Sequence, residues 1–160
     1  MKEKMKKIVV CLILIIGFLV LIRITLGHDF YSVSSISKSS QIEKIIVESR
    51  SEYAGEYHQV LCLTEDNDIK NYVTELKKGK YIPALYTKLW DPAEKSDFAI
   101  KIYSSSELCI LQLTKDLKVT VYKFSSENED NCYSTKQYHT KGYENLYNSL
   151  MEKKLTLLTN

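Results

Sequence analysis

The hydrophobic pattern divides this chain in two. Ile8–Ile22 is fifteen residues without a charge, apolar throughout apart from neutral Gly17. Arg23 interrupts the run and Ile24–Leu26 extend it. An arginine near a helix end can lift its guanidinium to the interface, so the usable span is Ile8–Leu26, nineteen residues. At about 1.5 Å per residue that is roughly 28 Å, close to a bilayer core of about 30 Å. The pattern therefore predicts a membrane helix that includes Ile8, Leu12, Ile15, Leu19 and Ile22. Lys2, Lys4, Lys6 and Lys7 precede it and only Arg23 comes closely after it. The positive-inside rule keeps the N-terminus in the cytoplasm and exports the chain beyond Gly27. The competing reading is a cleaved signal peptide that would release a secreted protein, with Thr25 and Gly27 as small residues at a marginal peptidase site. The anchor is preferred.

Downstream the pattern becomes short and periodic. Residues 28–40 are polar, with six serines, and read as a tether. Ile42–Glu48 and His58–Thr64 read as a hairpin around the turn at Gly55. Thr64–Asp68 offers a hydroxyl cap and then acids, and Ile69, Val73 and Leu76 recur on one helical stripe. Lys77, Lys78 and Gly79 end that helix. Lys80–Asp97 is irregular and holds both prolines and the single tryptophan. Phe98–Tyr103, Glu107–Thr114 and Lys118–Phe124 form a meander with turns at Ser104–Ser106 and Lys115–Leu117. Cys132–Tyr138 is a last short strand. A final helix opens at Thr140 or Gly142 and shows Tyr143, Leu146, Tyr147, Leu150 and Met151 on one face. The expected fold is α+β: an antiparallel sheet of about five to six strands, ordered β-β-α-β-β-β-β-α, with two helices packed on it. Residues 1–27 are stub and anchor, 28–40 the tether, and 41–160 the extracytoplasmic domain.

Charge changes the picture once the leader is set aside. The chain has 22 Lys+Arg and 20 Asp+Glu. Residues 1–27 carry five of the bases and one of the acids, which leaves 17 against 19. The exported part is slightly acidic, so no nucleic-acid partner is expected.

Candidate chemistry is sparse. The three exported cysteines, Cys62, Cys109 and Cys132, are spaced 47 and 23 apart, which excludes a metal-type C-x-x-C. Cys62 and Cys109 fall in apolar runs and read as buried thiols, with one disulfide among the three as the alternative. Cys132 precedes His139 by seven residues, so a thiol and an imidazole could approach, but acidic neighbours Glu127, Glu129 and Asp130 oppose a thiolate. His28, His58 and His139 show no shared ligand spacing, and no metal or cofactor is expected. No G-x-S-x-G, S-x-x-K, P-loop or G-x-G-x-x-G occurs. Twelve tyrosines suit half-buried sheet positions. A contact face is placed in the irregular stretch, at Tyr81, Tyr86 and Trp90.

Taken together, Gln41–Ile45, Leu63–Ile69, Phe98–Thr114 and Tyr143–Leu150 resemble small exported or lipoprotein-like domains of unknown function from low-GC Gram-positive bacteria. Those domains pair a hairpin with a "T-x-x-x-D-I" helix, a meander and a C-terminal "Y-x-x-L" helix. The twenty lysines against two arginines suit such an AT-rich source. This chain departs from them in lacking a lipobox and in its longer Lys80–Asp97 stretch. The resemblance implies no functional residues. The expected role is a non-enzymatic binding module at the bacterial cell envelope, with the bilayer and another envelope protein as partners. The alternatives are an exported inhibitor or immunity-type protein, and an envelope enzyme of unrecognised type.

Overall fold

The computed structural model describes residues 2–34, 36, 42–50, 56–84, 96–125 and 132–159. Their elements run α1 (Lys2–Leu26), α2 (Phe30–Ser34), β1 (Ile42–Arg50), β2 (Tyr57–Leu63), α3 (Asp66–Lys78) and β3 (Lys80–Pro83). Then come β4 (Phe98–Ser104), β5 (Leu108–Leu113), β6 (Lys118–Phe124), β7 (Cys132–Lys141) and α4 (Glu144–Thr159). The fold is α+β, as the pattern predicts.

Seven described strands form one sheet in the order β2-β1-β4-β5-β6-β7-β3, every neighbouring pair antiparallel. The extra strand is β3, at the edge beside β7, inside the stretch expected to be irregular. The meander β4-β5-β6 is as expected, because Phe98, Ile100 and Ile102 alternate with the outward Lys101. β7 is longer than expected and runs to Lys141.

One sheet face carries the main core: Ile45 and Val47 of β1, Phe98, Ile100 and Ile102 of β4, Leu111 and Leu113 of β5, Val119 and Val121 of β6. α3 covers it with Ile69, Val73 and Leu76, and α4 with Leu146 and Leu150. The opposite face holds a smaller cluster of Ala99, Leu108, Ile110 and Phe124, with Tyr57, Tyr103 and Tyr122 packed against it.

Both ends of α3 are made differently from the sequence reading, although Gly79 does end it. The position before α3 is Glu65, which makes no side-chain cap, so Thr64 is not the hydroxyl cap. Asp66 and Asp68 still place charge at the positive end of the helix dipole. Gly79 comes directly after α3 but has φ −72°, which any residue adopts. Glycine is required there for space. A Cβ would lie 2.1 Å from the Tyr143 ring, well inside contact distance.

The largest departure concerns the tether. Phe30, Val33 and Ile36 are buried members of the main core, and α2 packs on α3, β3 and β6. Asp29 Oδ1 accepts a 2.7 Å hydrogen bond from the Ser32 N–H and starts the short helix. Serine-rich composition hides apolar residues spaced three apart, which is helical spacing. This segment binds the leader helix to the domain.

Candidate functional site at the helix–sheet junction

α1 arrives at the domain without slack. Gly27 stands between α1 and an isolated bridge in which His28 N–H donates to Tyr81 O at 2.7 Å and Tyr81 N–H returns to His28 O at 3.0 Å. Gly27 has φ +69°, and a Cβ on it would lie 3.2 Å from Tyr81 O. Both facts favour glycine where the chain turns out of the helix. The His28 ring lies edge-on to Tyr138 at 6.3 Å between centroids. The leader helix therefore ends on the sheet edge formed by β3.

Tyr81 lies in this junction and not on a contact surface. It is fully buried. Its hydroxyl is bonded to that of Tyr143, whose own hydroxyl donates to Leu76 O at 3.0 Å. Its ring meets Tyr138 and Tyr143 edge-on at 5.9 and 5.6 Å. One hydrogen-bonded tyrosine pair thus ties β3, the residue that leads into α4 and the end of α3. Burial pushes the Tyr81 hydroxyl well above its ordinary pKa, with neighbouring Tyr143 adding to it, and burial raises Tyr143 too. Both stay neutral, as core hydrogen-bonding groups do. The contact face expected from sequence at Tyr81 is thereby corrected: the side chain is consumed by packing. Tyr86 and Trp90 lie outside the described residues.

Around the junction lie lysines that the sequence pattern presents only as helix-end charge. Lys77 and Lys78 close α3, and Lys80 opens β3 directly opposite Lys141 of β7. All four are exposed. Lys78 pairs with Glu75 at 2.5 Å, and Lys77 Nζ sits 5.2 Å from the centre of the Tyr31 ring. The Cβ of Lys80 is 3.5 Å from where a Gly27 Cβ would be. The signal is present as Lys-Lys-Gly-Lys at 77–80, but Lys141 joins it only through the β3–β7 register.

The remaining chemistry-bearing residues do not converge. Cys132 and His139 sit on one continuous strand, opposite Phe124 and Lys118 respectively. Seven residues of strand separate them by about 23 Å at about 3.3 Å each, so no thiol–imidazole pair forms. His58 is exposed on the edge strand β2. Among the described residues no three His, Cys, Asp or Glu side chains could hold a metal ion together. The acidic run at Glu127–Asp130 lies outside them. Cys62, Cys109 and Cys132 are free thiols, and only Cys109 is buried. Cys62 points outward, against the buried reading, since β2 is an edge strand with one covered face. Burial pushes the Cys109 thiol up to about 12, despite Lys123 nearby, which makes it unreactive.

The residues expected to span the membrane all lie on α1. Ile8, Leu12, Ile15 and Leu19 are exposed, Ile22 is half-covered, and none of the apolar window Met5–Ile22 is buried. The fold and its junction define an α+β domain carried on an N-terminal apolar helix. No family model, curated protein or solved structure matches this chain, so the resemblance drawn from its short motifs rests on those motifs.

Proposed function

We propose that this chain is a single-pass bacterial membrane protein, N-terminus inside, that holds its α+β domain against the outer surface of the membrane. It acts there by binding another envelope protein, without catalysis. The observation that carries the reading is the junction. An apolar helix long enough to cross a bilayer is joined to the sheet edge through Gly27 and a two-hydrogen-bond bridge. A flexible stalk serves reach, whereas a short rigid one keeps a domain at fixed height and orientation. The scattered histidines and the unreactive Cys109 favour binding over catalysis.

The secreted alternative is a specific one, because Thr25 and Gly27 are small. Cleavage after Gly27 would leave His28 free to keep its bridge to Tyr81. Two measurements test the assignment. A C-terminal alkaline phosphatase fusion should be active, and the protein should stay in carbonate-washed membranes at the mass of the full 160-residue chain. Activity confined to cytoplasmic reporters would overturn the topology. A shortened soluble product would replace the anchor with a signal peptide. Crosslinking at intact cells should then give a discrete envelope-protein adduct; a protein seen only as monomer would count against the binding role.

A further inference from the structure

The lysines at the junction are brought together by folding. Lys80 and Lys141 face each other across the β3–β7 pair, and like charges directly opposite repel. Among the described residues neither has an ionic partner. Lys77 and Lys78 stand close by along the chain, just before Gly79. The nearby acids are placed otherwise: Glu75 pairs with Lys78, Asp29 caps α2, and Glu144 lies in the first turn of α4. An exposed repulsive pair on a sheet edge is a local cost that an external anion would relieve.

The position of the pair says which anion. Lys80 packs beside Gly27, where α1 ends, and α1 is in contact with β3. If α1 spans the bilayer, as proposed above, its end is at headgroup level, and so is this edge. These lysines also lie at least 51 residues beyond α1 in the sequence, and Lys141 lies 115 beyond it. They are thus outside the range of about 15–20 residues in which basic residues decide topology. Positive charge at this exit is therefore compatible with an exported domain.

We propose that Lys77, Lys80 and Lys141, with Lys78 at the rim, form a collar that seats the β3 edge on anionic phospholipid headgroups of the leaflet from which α1 emerges. The collar fixes the domain's tilt: α1 supplies attachment, and the lysines decide which side of the domain faces lipid. The inference rests on the anchor reading and adds an orientation to it.

The test uses the full chain in lipid nanodiscs of phosphatidylcholine alone, or of phosphatidylcholine mixed with phosphatidylglycerol. A water-soluble amine-acetylating reagent is applied and the modification rate at each lysine is read by mass spectrometry. Lys80, Lys141 and Lys77 should react several-fold more slowly in the mixed discs, about five-fold being the gain of one lysine at an anionic surface. Lys70 and Lys115, exposed elsewhere, should be unchanged. High salt should abolish the difference, since it screens exposed charge. In K80Q/K141Q, Lys77 should lose its protection while the chain stays in the disc. Equal rates in the two lipids, with the chain in the disc, overturn the collar alone. A chain that does not enter discs of either lipid overturns the anchor reading instead.

Discussion

α1 and α3 are both regular helices, and both contain branched aliphatic residues, yet they place them in opposite surroundings. In α3 the apolar residues fall on one stripe, and Ile69, Val73 and Leu76 are buried against the sheet. In α1 they occur all round. Thirteen large apolar side chains, from Met5 to Leu21, are between 53 % and 66 % exposed. Fully burying one such side chain is worth about 1.5–3 kcal/mol, so a water-soluble fold would draw some of them inside. The domain has no place for them, because its helix-facing core is already covered by α2, α3 and α4. The proposed membrane span would give α1 a different solvent from α3. A helix apolar on every face fits hydrocarbon; a helix apolar on one stripe fits a sheet.

This contrast fails outright if α1 tolerates charge. Leu14→Arg with Ile16→Arg places two guanidinium groups near the middle of the span, at about 2.5–3.5 kcal/mol each. The double variant should leave the carbonate-washed membrane fraction while its domain keeps a native circular-dichroism spectrum. Undiminished membrane retention would show that α1 is held by something other than lipid. The matching change in α3, Val73→Arg, should do the reverse: it should unfold the domain and leave the chain in the membrane.

Phe30→Ala asks whether the segment after α1 belongs to the anchor or to the core. Removing a buried phenylalanine costs about 3–5 kcal/mol, which would be read as a lower urea midpoint in detergent micelles. Ser32→Ala, at an exposed position of the same helix, should change stability by no more than about 0.5 kcal/mol. Equal and small effects would restore the flexible tether. Gly79→Ala is the next step down, with an overpacking cost of about 1–3 kcal/mol from the Tyr143 ring. Pairing it with Tyr143→Leu, which removes the ring the new methyl would meet, should give less than the sum of the two losses.

These positions show why some of the fold is legible in the sequence and some is not. The meander and α3 are readable because each has enough residues for a period to repeat. β3 has four residues, one a proline, and only Tyr81 among them is buried. That is too short to alternate, and it exists because β7 offers an edge. The tether reading fails because six serines outweigh Phe30, Val33 and Ile36. Gly79 ends the right element for a reason the sequence does not show: its cause is Tyr143, distant in the chain and adjacent in space. The lysine collar is half visible. Lys77–Lys80 reads from the chain, but Lys141 requires the register. Of the contact face expected at Tyr81, Tyr86 and Trp90, Tyr81 fails for a general reason: composition cannot tell a tyrosine offered to a partner from one whose hydroxyl is already bonded inside.

The α+β domain should also separate from α1 by its response to alkali, because Cys109 and Tyr147 are held neutral in the fold. The Cys109 thiol rises from 9 to about 12 through burial. Tyr147 rises from 10 to about 12, through burial first and then through Asp97, which its hydroxyl meets at 3.1 Å. Both groups ionise more easily in the unfolded chain. Their contribution is complete below pH 9, falls as pH climbs through the window from 9 to 12, and is gone above the folded values. The urea midpoint should drop over that window, and Cys109→Ala should begin its fall later, near the tyrosine value of 10. Retention of the chain in the membrane should not change across the same range, since Ile8–Ile22 of α1 carries no charged residue.

The subtlest change concerns a polar atom on the helix that does face a core. Tyr72 of α3 packs its ring against that core, and its buried hydroxyl has no hydrogen-bond partner among the described residues. Burial raises its pKa, with Tyr143 adding to the shift, so the proton stays on. An unsatisfied buried hydroxyl costs about 1–3 kcal/mol of desolvation that no bond returns. Tyr72→Phe keeps the ring and deletes only the oxygen. It should be neutral or stabilise the domain by up to about 1 kcal/mol, unlike most core substitutions. Tyr143→Phe, which removes a hydroxyl bonded to both Leu76 O and Tyr81, should destabilise it instead. Opposite signs for two such similar changes would show that the domain core is governed by hydrogen-bond satisfaction as well as by area. A loss for Tyr72→Phe as large as that for Tyr143→Phe would mean that the Tyr72 hydroxyl has a partner in solution, and would move it into the tyrosine network that ties α3, β3 and the residue leading into α4 together.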